Sequence, residues 1–92
     1  MRLCVPIPCH FRMGSSEDVC DAIRTVASLG YDAIEAYDWR GLDASVIRPV
    51  LEESGVEFLS LLVMETRLTT PACRDLWLTA LKEACEAAES WV

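Results

Sequence analysis

The sequence predicts an α/β protein whose parallel sheet is built from consecutive βα units. A short pattern, in which a helix end is followed by glycine and a half-apolar strand, occurs at Gly30 and again at Gly55. Glycine suits the left-handed residue just past a helix end. Helix–Gly–strand units repeated at short intervals are typical of parallel sheets with right-handed crossovers. Because no strand follows the third predicted helix, we expect residues 1–92 to be the N-terminal βαβαβα portion of a larger domain.

The first unit is predicted from its prolines and its helix cap. We expect strand one from Leu3 to Phe11, and Pro6 and Pro8 remove donors from one edge of it, which predicts a position at the sheet edge or at a weak seam. Helix one begins after Ser15, which forms a capping pattern with Asp18. It ends at Gly30 and places four apolar side chains on one face: Val19, Ile23, Val26 and Ala27.

The second and third units follow the same logic. Strand two spans Tyr31–Tyr37, and Asp43 caps a second helix that Pro49 should weaken or kink unless the helix starts late. That helix places Val46, Ile47, Val50 and Leu51 inward and ends at Gly55. Strand three, Val56–Met64, is apolar on both faces, which is typical of a buried parallel strand. Thr70 and Pro71 start helix three, which runs to Trp91 and has an apolar stripe of Leu76, Ala80, Leu81, Ala84, Ala87, Ala88 and Trp91.

Composition and charge narrow the class of protein. The chain is 52% hydrophobic and 25% charged, which indicates a globular domain. No apolar run approaches the ~20 residues of a membrane span, and the N-terminus lacks the apolar core of a secretory signal, so we expect a cytoplasmic protein. The net charge of −7 disfavours nucleic acid and anionic membranes as partners.

The five cysteines are expected to be reduced, because their number is odd and no CxxC motif occurs. A metal site formed by Cys4, Cys9 and His10 is the sharper alternative. A spacing of five residues would put the two thiols on opposite faces of a strand, and zinc prefers four converging ligands. The spacing therefore favours structural cysteines.

Two segments carry a resemblance to a known family. The segment from Gly30 to Trp39, with Tyr31, Ala33, Glu35 and Tyr37, and then Asp43, resembles the second strand of the xylose isomerase-like TIM barrels, most of all the hydroxypyruvate isomerase branch of the sugar phosphate isomerase/epimerase superfamily. Residues 67–75 resemble that family's loop into helix three. The resemblance implies three right-handed βα units of a partial (β/α)8 barrel. The family's Leu-Gly pair at the end of helix three is replaced here by Glu89-Ser90-Trp91-Val92.

The resemblance also implies a chemistry, which is aldose–ketose isomerisation or epimerisation of a small sugar or keto-acid. In that family a divalent metal (Mg, Mn or Zn) polarises the substrate oxygens while a carboxylate moves a proton next to the carbonyl. The metal ligands and catalytic residues come from later strands. We therefore expect no catalytic or metal-binding residue among residues 1–92 and no activity from this chain alone.

Five residues are candidates for contacting a substrate, because active sites of such barrels gather at the carboxyl ends of the strands. Glu35 matches the family's glutamate, although it could simply be hydrogen-bonded inside the barrel. The other four each have a plain structural alternative as a solvated, packing or loop residue: His10, Trp39, Glu65 and Arg74. Trp77 and Trp91 are interpreted as helix-packing residues.

A second hypothesis belongs to a different class of protein. Three parallel strands leave two open edges, and such edges favour association. The chain could then be a stand-alone, non-enzymatic α/β module that forms a homo-oligomer through them. A relationship to the AP-endonuclease-like barrels is disfavoured by the acidic charge and by the single histidine, since those enzymes hold several metals with many histidines.

Overall fold

The computed structural model describes residues 1–11, 14–36, 40–61 and 70–91, the side chains of Cys9 and His10 excepted. Its strands are β1 (Cys4–Pro6), β2 (Ala33–Ala36) and β3 (Glu57–Leu61). Its helices are α1 (Ile7–His10), α2 (Ser16–Ser28), α3 (Ala44–Ser54) and α4 (Arg74–Trp91), and a 3-10 turn at Pro71–Cys73 precedes α4. The strands pair in parallel in the order β1-β2-β3. The prediction of an α/β protein with a parallel sheet is confirmed, and β1 lies at an edge as predicted.

Local capping explains where the helices begin and end. The Ser15 hydroxyl accepts a hydrogen bond from the Asp18 backbone N–H (3.1 Å) at the start of α2, and the Asp43 carboxylate accepts one from the Ser45 N–H (2.9 Å) at the start of α3. Gly30 and Gly55 have φ angles of 86° and 69° after the ends of these helices. Both predicted caps and both glycine stops are confirmed.

The core lies between the sheet and the helices. α2 packs against α3, and α3 and β3 contact α4. The predicted inward positions of α2 are buried at Val19, Ile23 and Val26, and Ala27 is half-buried. In α3 the prediction is wrong for Val46, which is 38% exposed, because only Ile47, Val50 and Leu51 reach the core. In α4, Ala80, Ala84 and Trp91 are buried, whereas Leu76 is 62% exposed.

The first predicted strand is shorter than expected. After Pro6 the chain turns into the four-residue helix α1, in which the Phe11 N–H donates to the Ile7 carbonyl (2.8 Å). Pro8 sits in the first turn of that helix, where a missing N–H costs nothing. The strand therefore ends at Pro6, and Pro8 is accommodated in the first turn of the helix that follows.

Two further predictions about the second half are corrected. β3 is largely exposed, with Leu59 58% exposed, because no described strand lies beyond it in the sheet. Thr70 makes no side-chain capping hydrogen bond, since Pro71 opens a 3-10 turn and α4 begins only at Arg74. α3 runs from Ala44 through Pro49 to Ser54, so Pro49 is an interior residue of the helix.

Candidate functional site

The side chain of Glu35 lies on the face of the sheet opposite to the main core. Val5 of β1 pairs with Ile34 of β2, which pairs with Phe58 of β3. Val5 and Ile34 are buried in the main core, and Phe58 packs against it. Because side chains alternate along a strand, Glu35 belongs to the other face. It forms a row there with Pro6 of β1 and Ser60 of β3, its register partners.

Glu35 is half-buried and is the last residue but one of β2, near the carboxyl end of the strand. In the part of the chain that the structure describes, its carboxylate makes no hydrogen bond or ion pair, so both oxygens can accept from a ligand. The β2–β3 register shifts between Ile34 and Glu35, which leaves Leu59 as the extra residue on β3. Such bulges re-aim side chains and are frequent beside functional sites.

The charge of Glu35 also acts on the neighbouring thiol of Cys4. Burial raises the pKa of the Cys4 thiol, and the Glu35 carboxylate raises that pKa further. Cys4 pairs with Ala33, two residues before Glu35, and so shares its face of the sheet. A thiol with a raised pKa is a poor nucleophile near pH 7. Cys4 therefore contributes a neutral neighbour to the Glu35 carboxylate.

The other four predicted substrate residues are not brought into contact with Glu35. His10 ends α1, just beyond the carboxyl end of β1, and its side chain lies outside the described residues. Trp39 and Glu65 also lie outside them. Arg74 is the exposed first residue of α4, the helix that follows β3. Topology alone places Arg74 and His10 in segments that follow strand carboxyl ends.

Two neighbours of Glu35 were missed by the sequence interpretation, namely Cys4 and Ser60. The signal for Ser60 was a hydroxyl inside an otherwise apolar strand. The signal for Cys4 was its period-two spacing from Pro6. Neither signal fixes the register between strands, which is what places these side chains beside Glu35.

A cleft of about 470 Å³ lies elsewhere, at the amino end of β3. Its apolar walls are Leu51, Val56, Phe58 and Trp91. Of the charged residues at its border, Glu57 is already paired with Arg2 at 2.6 Å. The cleft contains none of the predicted substrate residues, so we interpret it as a packing seam between α3, β3 and α4.

No three metal-ligating side chains come together among residues 1–11, 14–36, 40–61 and 70–91, the side chains of Cys9 and His10 lying outside the described part. Within the same ranges, Cys4, Cys20, Cys73 and Cys85 are free thiols. The argument that Cys4 and Cys9 lie on opposite faces of one strand is wrong, because Cys9 belongs to α1. None of the described helices has the length and apolar character to cross a membrane.

Comparison of the chain with protein-family models, curated proteins and solved structures finds no match.

Proposed function

We propose that this chain is the N-terminal part of a cytoplasmic, hydroxypyruvate isomerase-like TIM barrel in which Glu35 contacts a small sugar or keto-acid substrate. The observation that carries the proposal is the position of Glu35, half-buried near the carboxyl end of β2 on the face away from the main core. In a closed barrel that face is the interior, and substrates bind at the carboxyl ends of the strands. The sequential order β1-β2-β3 is also the order of strands in such a barrel.

The proposed reaction is aldose–ketose isomerisation or epimerisation. The divalent metal (Mg, Mn or Zn) that the resemblance implies would act as a Lewis acid on the substrate oxygens. The described residues do not assemble a site for it, and its ligands would come from later strands of the barrel. Glu35 would accept a hydrogen bond from a substrate hydroxyl and so orient the substrate, and the Ser60 hydroxyl, in the same row, would donate or accept a second one.

The proposal is tested by titrating the ¹⁵N-labelled 92-residue chain with hydroxypyruvate and with small aldoses, followed by NMR. We expect shifts of the Glu35 and Ser60 amides, with weak binding and no turnover. Glu35→Gln should weaken binding about tenfold or more, because it removes a hydrogen bond to a charged group. Glu53→Gln is the matched control, since Glu53 is exposed on α3.

Either of two results would count against this function. One is saturation of the chain with ligand without any shift along β2 and β3. The other is equal affinity of the Glu35→Gln and Glu53→Gln variants. Both results are read from binding and do not depend on catalytic activity.

A second candidate function is favoured by the exposure of β3. Leu59 is 58% exposed on a strand whose outer edge has no partner in the described structure. An exposed apolar edge strand favours association. In this candidate function the chain is a non-enzymatic α/β module that works as a homo-oligomer.

A further inference from the structure

We propose that the wall around Glu35 accepts the uncharged, hydroxyl-bearing part of the substrate, so that the chain prefers a neutral sugar to a keto acid of the same size. The inference rests on the proposed function of Glu35 and narrows the substrate class from sugars and keto-acids to neutral polyhydroxy compounds. Glu35 determines the preference in two ways, because its carboxylate carries a negative charge and because it has no hydrogen to donate.

The row of side chains that contains Glu35 is rich in hydrogen-bond acceptors. The Glu35 carboxylate accepts hydrogen bonds and donates none near pH 7. Pro6, its partner on β1, has no backbone N–H and presents an apolar ring. Ser60, its partner on β3, supplies the hydroxyl of the row. A ligand must therefore bring its own donors to Glu35. A sugar hydroxyl is such a donor, whereas the carboxylate of a keto acid only accepts.

The charges in the neighbouring row leave Glu35 uncompensated. That row lies towards the amino end of the sheet and contains Cys4, Ala33 and Glu57. The Glu57 carboxylate is paired with the Arg2 guanidinium at 2.6 Å, so these two charges largely cancel. The Glu35 carboxylate forms no ion pair within the described residues. Burial, and after it the Glu35 carboxylate, raises the pKa of the Cys4 thiol, as expected for a negative potential beside Glu35.

Two arginines of the neighbouring helices are on the wrong side of the sheet to change this potential. Arg24 belongs to α2 and Arg48 to α3. The buried residues of both helices form the main core, on the face of the sheet opposite to Glu35. Arg24 is in addition paired with Asp21 of its own helix at 3.1 Å. An anionic group placed against Glu35 would therefore be repelled.

The repulsion sets the expected size of the preference. Two like unit charges about 4 Å apart change an equilibrium constant roughly fivefold in bulk water and several hundredfold at the lower dielectric constant of a protein surface. Glu35 is half-buried, which places it between these two limits. We therefore expect a neutral compound to bind about tenfold to a hundredfold more tightly than an anion of the same size.

The test uses two ligands that differ in a single group. Dihydroxyacetone and hydroxypyruvate share a hydroxymethyl ketone, and the second hydroxymethyl group of dihydroxyacetone is replaced by a carboxylate in hydroxypyruvate. Each ligand is titrated near pH 7 into the ¹⁵N-labelled wild-type chain, and its dissociation constant is taken from the shifts of the Glu35 and Ser60 amides. We expect dihydroxyacetone to bind at least about tenfold more tightly.

The variant Glu35→Gln separates the charge of Glu35 from the shape of the wall, because glutamine has nearly the same size and adds an NH₂ donor. It should weaken the binding of dihydroxyacetone, and it should weaken that of hydroxypyruvate less, because the repulsion is removed as well. The two dissociation constants should thus become nearly equal. Glu53→Gln is the matched control, since it removes the same charge from an exposed position on α3 and should leave the preference unchanged.

A second measurement uses the wild-type chain and does not depend on folding of a variant. Raising the NaCl concentration from about 20 mM to about 200 mM shortens the Debye length and screens the repulsion. The affinity for hydroxypyruvate should then increase, whereas that for dihydroxyacetone should not change.

The outcomes separate the inference from the function on which it rests. If neither ligand shifts the amides of β2 and β3, both the proposed function of Glu35 and the preference are overturned. If hydroxypyruvate binds as tightly as dihydroxyacetone, or if Glu35→Gln retains the full preference, the inference alone is overturned, because a ligand still binds along β2 and β3.

Discussion

Replacing Trp91 with alanine should destabilise the chain strongly, although Trp91 is the last residue of α4. Residues at a helix terminus commonly fray and tolerate substitution. Trp91, however, is only 4% exposed, and its ring stacks on Phe58 with a centroid separation of 4.8 Å. It thereby fixes the end of α4 to the start of β3.

The magnitude follows from the area that the indole buries. A buried tryptophan removes about 150–250 Å² from water, which at ~25 cal/mol per Å² corresponds to about 4–6 kcal/mol. A compact unfolded state lowers this figure by roughly 10–40%. We therefore expect a loss of about 3–5 kcal/mol, within the usual range for Trp→Ala in a core. A chain of 92 residues has a total stability of about 5–14 kcal/mol.

Urea unfolding followed by far-UV circular dichroism measures this loss, and the midpoint should fall by roughly 2 M. Trp77→Ala is the control, since Trp77 lies on the same helix but is only half-buried. It should cost about 1–2 kcal/mol. Equal midpoints for the two variants would refute the reasoning, because they would show that the end of α4 is not held by the stack on Phe58.

Three further predictions concern α3 and its ends. Gly55→Ala should lower the stability measured by thermal unfolding by about 1–2 kcal/mol, because φ is 69° at this residue. An added Cβ would meet no atom within 4 Å, so the cost comes from the backbone conformation and not from a clash. An unchanged Tm would contradict the left-handed geometry. Pro49→Ala should raise the free energy of unfolding in urea by about 1–2 kcal/mol. An interior proline costs ~3 kcal/mol in a helix, and its restriction of the unfolded chain recovers only ~1 kcal/mol of this cost. Hydrogen bonds from the Ser45 hydroxyl and then from the Ser45 backbone N–H lower the pKa of the Asp43 carboxyl below its ordinary value of 3.8. The stability that the Asp43 carboxylate contributes is therefore present above pH 3.8 and is lost as the pH falls through the lowered pKa. The urea midpoints of the wild type and Asp43→Asn should therefore differ more at about pH 7 than at about pH 2.5, where they should be nearly equal. A difference between the two proteins that is the same at both pH values would contradict this linkage.

The helices were predictable because their signals are local. Ser15 and Asp43 cap α2 and α3, and Gly30 and Gly55 follow their ends, as expected from a few neighbouring residues each. A cap or a left-handed glycine depends on backbone groups within about four residues. The parallel order of strands followed from the repeat of such local units.

The strands were predicted less well, because their limits depend on residues far along the chain. Pro6 and Pro8 suggested a weak edge, yet whether the chain stays extended after Pro6 is decided by pairing with β2. In the same way, the apolar run around Leu59 suggested burial on both faces. Such a run shows what the strand can pack against, and only the neighbouring elements decide whether it does.

The candidate site was predictable to the extent that it follows strand alternation. The resemblance picked out Glu35 and alternation gave the face of β2 on which it lies, and the structure places it there beside Ser60. His10 was assigned to a strand end and instead lies in a short helix. Loop positions such as Trp39 and Glu65 have no periodicity from which a direction could be predicted, and both lie outside the described residues.

The two incompletely covered surfaces of this chain differ in chemistry, and this difference argues for two kinds of occupant. The face around Glu35 presents a carboxylate and a hydroxyl, groups that water or a small polar ligand can satisfy. The groove between β3 and α4 presents the apolar side chains of Leu59 and Leu81 beside a strand edge that has no partner in the described part of the chain. Water solvates such a surface poorly, and a second strand would cover it well. If Leu59→Lys yields a folded monomer that still binds ligand at Glu35, the two surfaces act independently.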